Sequence, residues 1–162
     1  MNFDITLPNE QATKELGKQL SEALPQVLSG ITIALSGENG AGKSTLVRAV
    51  LRGMGYEDIV PSPTYTLIEP YEFGFRKIYH IDLYRINDHD ELNFLGWDDL
   101  SDGLMFIEWP QRIPTISAQA DINFTINFKQ SGREVTIKSS SLVGDDILSK
   151  VRKFHQNKYA IK

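Results

Sequence analysis

The sequence of 162 residues contains no cysteine, which removes disulfides, thiolate zinc sites, iron–sulfur ligation and cysteine nucleophiles together. It has no apolar run near the ~18 residues that a membrane-spanning helix needs. Its start, Met1-Asn2-Phe3-Asp4, lacks the basic-then-apolar order of a signal peptide. A soluble, cytoplasmic protein without a membrane partner is expected. An excess of positive charge is also missing. Seventeen Lys and Arg against 21 Asp and Glu leave a formal charge of −4, so a broad electrostatic hold on nucleic-acid backbone is not expected. No repeat, low-complexity block or long Pro/Gly/Ser linker divides the chain. With 41% hydrophobic residues, its length suits one domain over residues 1–162 that buries roughly 70% of its unfolded surface.

What is present alternates between two hydrophobic periods. Asn9 is a candidate N-cap for a helix carrying Leu16, Leu20, Leu24 and Val27 along one face. Residues 31–35 are apolar and β-branched and stop at Gly37, as a buried strand would. Leu46, Val47, Val50, Leu51 and Met54 then fall at helical spacing, closed by Gly53 and Gly55. Pro61-Ser62-Pro63 imposes an extended or turning segment, after which residues 64–71 and 76–84 read as strands around a turn at Gly74. Residues 88–95 suit a short helix with an acidic first turn. Residues 104–107 are apolar throughout, as in a strand covered on both faces. Ile122, Phe124, Ile126 and Phe128, then Val135 and Ile137, alternate with polar residues about Ser131-Gly132, which predicts a hairpin with one wet face. Ile147, Leu148, Val151 and Phe154 outline a last helix that turns basic at Lys150, Arg152, Lys153 and Lys158. The expected class is α/β, a mixed sheet with a parallel centre, antiparallel additions and flanking helices.

One segment carries recognisable chemistry. Gly37-Glu38-Asn39-Gly40-Ala41-Gly42-Lys43-Ser44 fits G-x-x-x-x-G-K-[ST] between a strand and a helix, the phosphate-binding loop of nucleotide hydrolases. The glycines let successive backbone N–H groups converge on phosphate oxygens. Lys43 can reach the terminal phosphates, the Ser44 hydroxyl can ligand magnesium (Mg2+), and the following helix points its positive end at the anion. Such a loop works with a carboxylate at the end of a nearby buried strand. Glu108 and Asp82 both occupy that position, one to hold the metal and the other to orient the attacking water, and the residues alone leave the assignment open. Thr64 and Thr66 lie where hydroxyls of a switch segment could sense the γ-phosphate. Trp109-Pro110 reads equally as a core aromatic with a strand terminator. His80, His89 and His155 lack metal-ligand spacing and are expected to be structural or solvent-facing.

Guanine recognition has no support. No aspartate has glycine three positions on, and the single Asn-Lys pair, Asn157-Lys158, continues Tyr159-Ala160. Adenine is therefore the expected base. A small-molecule kinase and a nucleotide-binding regulator without turnover are the alternatives to an ATPase, although Arg76, Arg85, Arg112 and Arg133 are too scattered for a kinase lid.

Several segments in one order add a resemblance. The loop through Thr45, then Ser62-Pro63-Thr64-Tyr65-Thr66-Leu67 with Glu69-Pro70-Tyr71, Tyr79-His80-Ile81-Asp82-Leu83-Tyr84-Arg85, Glu91-Leu92 with Gly96, and Ile107-Glu108-Trp109-Pro110 resemble the TsaE (YjeE) family. The resemblance spans residues 9 to about 135. It implies a P-loop ATPase needed for threonylcarbamoyl (t6A) modification of adenosine beside the tRNA anticodon. Such an ATPase would act with TsaB and TsaD and meet tRNA through that complex. By position it implies that Glu38, Asn39, Gly40, Ala41, Gly42, Lys43, Ser44 and Thr45 hold ATP. Ser44 and Glu108 would ligand Mg2+, Asp82 would serve hydrolysis, Thr64 would lie in the switch, and Gln11 and Arg133 would lie near the nucleotide. Glu38-Asn39 and Ser44 depart from residues frequent in the family but keep the chemistry. With no arginine finger evident, slow hydrolysis accelerated by the partners is expected.

Overall fold

The computed structural model describes residues 1–160, with the side chains of 158–160 excepted, so the Lys158 side chain lies outside the described residues. The strands are β1 (Asn2–Leu7), β2 (Thr32–Ser36), β3 (Ile68–Phe73), β4 (Arg76–Asp82), β5 (Leu104–Glu108), β6 (Ile122–Lys129) and β7 (Gly132–Ser139). The helices are α1 (Glu10–Ala23), α2 (Lys43–Gly53), α3 (His89–Phe94), α4 (Pro114–Gln119) and α5 (Leu142–Ala160), with short 3₁₀ turns at Trp97–Asp102 and Pro110–Arg112. The fold is the expected α/β one. A 7-stranded sheet runs β1-β7-β6-β2-β5-β4-β3, parallel through β6, β2, β5 and β4 and antiparallel at β1–β7, β7–β6 and β4–β3.

Both faces of the sheet are covered. Leu104 and Phe106 of β5 face a core shared with Leu16 and Leu20 of α1, Leu46 and Val50 of α2 and Leu148 of α5. Ile107 and Ile81 face the opposite side, among Leu83, Leu92, Leu100 and Ile116. This two-sided burial is why residues 104–107 read as a continuous apolar run. Helices α1 and α2 approach closely, because a Cβ built on Gly17 would lie 2.4 Å from Ala49 Cβ. Among the described residues no helix is long and apolar enough to cross a membrane.

Several elements depart from the sequence expectation, among them α4 and the two 3₁₀ turns, for which it offered nothing. Helix α1 ends at Leu24, whose extended ψ of 140° is what a residue before proline adopts. Val27 therefore falls beyond the helix and is exposed. Residues 64–67 form a turn, not a strand, closed by Leu67 N–H donating to the Pro63 carbonyl at 2.8 Å, with Leu67 at φ 70°. Finally, the alternation of Phe3, Ile5 and Leu7 is a strand, paired antiparallel with β7.

Candidate functional site

The parallel strands β2, β5 and β4 end side by side, with Leu35 opposite Glu108 and Glu108 opposite Asp82. Ligands of open α/β sheets bind at this carboxyl edge, and residues 37–42 cross it between β2 and α2. Gly37 has φ 154°, and a Cβ there would lie 2.6 Å from the Ile126 carbonyl oxygen. Gly42 is the N-cap of α2 in the left-handed region at φ 115°, a conformation glycine adopts without penalty. No side chain caps α2, which leaves the N–H groups of its first turn without a side-chain acceptor.

Lys43 is buried, 5% exposed. Its Nζ donates to the carbonyls of Gly37 and Glu38 and lies 4.3 Å from the Trp109 ring centroid. Burial lowers its pKa, opposed by the negative charges of Glu108 and Asp82. Ser44 Oγ donates to Glu108 Oε2 at 2.9 Å, and His80 Nε2 meets the same oxygen at 2.5 Å. Asp82 is equally buried. Its Oδ1 accepts from Tyr84 N–H at 2.8 Å, and Thr64 Oγ1 approaches Oδ2 at 3.4 Å. Burial pushes the Asp82 carboxyl above its ordinary value; Glu108 adds to this, while the Tyr84 amide, His80 and Lys43 oppose it.

Ten of the residues singled out in the sequence (Glu38, Asn39, Gly40, Gly42, Lys43, Ser44, Thr45, Thr64, Asp82 and Glu108) line one cavity of about 260 Å³ together with Trp109. Others lie apart from it. Ala41 turns into the core, 1% exposed. Arg133 sits on the outer side of the loop, donating to the carbonyls of Ala41 (3.0 Å) and Gly40 (3.1 Å), with its guanidinium over Phe128. Gln11 lines a separate groove of about 570 Å³ between α1 and α2, which shares Thr45 with the loop cavity. Thr66 bonds Glu69 at 2.7 Å rather than reaching the loop.

The donor set fits magnesium. Hydroxyl and carboxylate oxygens are hard ligands, and Mg2+ takes one or two from protein while keeping waters and phosphate oxygens. Sequence reasoning undervalued two neighbours. Trp109 covers Lys43 from a left-handed backbone at φ 58°, which no local signal announces. His80 was legible, since it precedes Asp82 by two residues and so shares its face of β4.

A family model described as threonylcarbamoyl adenosine biosynthesis protein TsaE matches residues 7–135. The tRNA threonylcarbamoyladenosine biosynthesis protein TsaE of Haemophilus influenzae is 37% identical over 147 residues, covering 88% of this chain and 93% of that protein. Its namesake in Bacillus subtilis is 35% identical over 133 residues, covering 79% and 80%. Among solved structures, that of Bacillus subtilis YdiB superposes with a TM-score of 0.76 at 24% identity, over 96% of this chain and 97% of that one, which establishes likeness of fold.

Proposed function

The chain belongs to the TsaE family, and on that premise we propose that it binds Mg-ATP with residues 37–45 and hydrolyses it. The cycle acts on a TsaB–TsaD complex during t6A formation in tRNA. Family membership carries the role in t6A biosynthesis. One observation supports the hydrolytic part: two buried carboxylates from adjacent strands stand beside the lysine and serine of the loop, each engaged by a different hydroxyl.

That difference divides the labour. Glu108 receives the Ser44 hydroxyl, so these two would hold the metal, which when bound neutralises phosphate charge. Asp82 is bonded to Thr64 and the Tyr84 amide rather than to Ser44, and its elevated pKa suits a group that accepts a proton from water. Lys43 and the open amides of α2 stabilise charge on the transferring phosphoryl group. Because Thr64 belongs to the turn at residues 63–67, a change at Asp82 reaches the exposed Tyr65. Partner affinity can follow the nucleotide state by that route.

ATP turnover titrated with purified TsaB–TsaD tests the proposal on the native chain, Glu108→Ala and Asp82→Ala. Slow turnover that rises with the partners is expected, with about 10²–10⁴-fold loss in Asp82→Ala. Equal rates with and without partners would overturn the cycle. A phosphorylated acceptor would make the protein a kinase, and ATP that persists beside all partners would make it a binding regulator.

A further inference from the structure

We propose that His80 is a positioning residue that fixes the Glu108 carboxylate against Ser44 so that it can serve magnesium; this rests on the Mg-ATP reading above. His80 is 1% exposed and pairs in register with Phe106, two residues before Glu108 on β5. The imidazole therefore reaches diagonally along the sheet and places Nε2 2.5 Å from Glu108 Oε2. The same oxygen receives the Ser44 hydroxyl.

A carboxylate poised to hold a metal only accepts hydrogen bonds, so Nε2 is the donor toward Oε2. Nδ1 is buried and has no hydrogen-bond partner among the described residues. Buried polar atoms are almost always paired, and an exception asks for an explanation. A histidine serving the core alone would use both nitrogens, or would be replaced by an apolar side chain of similar size. This one directs Nε2, its one ring nitrogen with a partner among the described residues, at a single oxygen. That oxygen is thereby held by His80 and Ser44 together, on the strand beside Asp82. Hydrogen bonds of this kind to a metal-binding carboxylate are commonly worth 10–100-fold in metal affinity.

The test compares His80→Gln, His80→Asn and His80→Leu in the full chain. The glutamine amide can occupy the position of Nε2, the asparagine amide that of Nδ1, and leucine supplies bulk alone. Calorimetry gives ATP affinity with magnesium and in a chelator, and the ratio of the two is the readout. The expected result is that His80→Gln keeps most of the native ratio. In His80→Asn and His80→Leu it should shrink by about 10–100-fold, with metal-free affinity unchanged because Lys43 and the loop amides are untouched. If the three variants lose the ratio equally, or all retain it, the positioning role is overturned. If the native chain itself shows no magnesium effect, the metal reading fails first and the inference falls with it. Should His80→Leu not fold, the comparison of Gln with Asn decides alone.

Discussion

Replacing Asp82 by asparagine should make the protein more stable at neutral pH while slowing hydrolysis by about 10²–10⁴-fold. Asp82 is 4% exposed, and its pKa is raised chiefly by burial, with Glu108 in the same direction. The folded state therefore binds a proton at this site more tightly than the unfolded chain does. Stability from the protonated form is fully present below the unfolded pKa and is lost as pH rises through the folded one. At pH 7 the native chain carries that loss, whereas asparagine never ionises: its Oδ1 can still accept the Tyr84 N–H and its Nδ2 can donate to the Thr64 hydroxyl oxygen. Part of the carboxylate's surroundings is solvated through the cleft, so a gain of no more than about 1 kcal/mol is expected, or roughly 2–4 °C in Tm for a chain of this size. Thermal unfolding should show the gap near pH 7 and its progressive closure toward about pH 4, as the native carboxyl becomes neutral too. An asparagine variant that is less stable at neutral pH, or a gap independent of pH, would refute this account of the site's electrostatics.

Lys43→Ala should weaken nucleotide binding by about 10–100-fold in calorimetry, the equivalent of one charge-assisted hydrogen bond; unchanged affinity would leave the loop without a phosphate-binding role. Gly17→Ala places a Cβ 2.4 Å from Ala49 Cβ and 3.0 Å from the Leu46 carbonyl. Overpacking of about 1–3 kcal/mol should outweigh the ~1 kcal/mol gained in helix propensity, lowering the denaturation midpoint. Burial pushes the Tyr71 phenol up to about 12, with Glu69 acting in the same direction, and its hydroxyl has no partner among the described residues. Tyr71→Phe should therefore be neutral or slightly stabilising at pH 7. Above pH 10 the variant's advantage should grow, since the native chain loses stability as that phenol ionises.

What could be read in the sequence was what is decided locally. The Asn9 cap, whose side chain accepts from Ala12 N–H at 2.9 Å, needs only its own turn. So does the β6–β7 alternation, where Ile122, Phe124 and Ile126 are buried and the residues between them are not. The turn at residues 64–67 escaped because β-branched and aromatic side chains there mimic a strand, while a single backbone bond to Pro63 closes the chain. Strand β1 carries a visible period of two, but its partner is β7, at the other end of the sequence. At the site, residue types and order identified the loop and both carboxylates. Which carboxylate meets Ser44 was not legible from the residues alone, because it depends on two side chains 64 positions apart; the family resemblance alone paired Ser44 with Glu108. Gln11 shows the same limit: its place at the start of α1 was readable, while the side of the helix facing the loop depends on how α1 crosses α2.

The loop's shape is imposed from both sides, which explains why a hairpin remote from the chemistry is part of the site. From beneath, the Ile126 carbonyl of β6 stands where any side chain at residue 37 would go, so β2 can hand over to the loop only through glycine. From outside, β7 returns Arg133 to the carbonyls of Gly40 and Ala41. A trans peptide sets its N–H opposite its C=O, so holding the Ala41 carbonyl outward turns the Gly42 N–H the other way. The Phe128 ring beneath the guanidinium keeps that side chain extended over the loop. Antiparallel β6–β7 pairing, which sets Phe128 opposite Arg133, would thus contribute to the proposed anion binding through backbone orientation, without lending its own charge to the cavity.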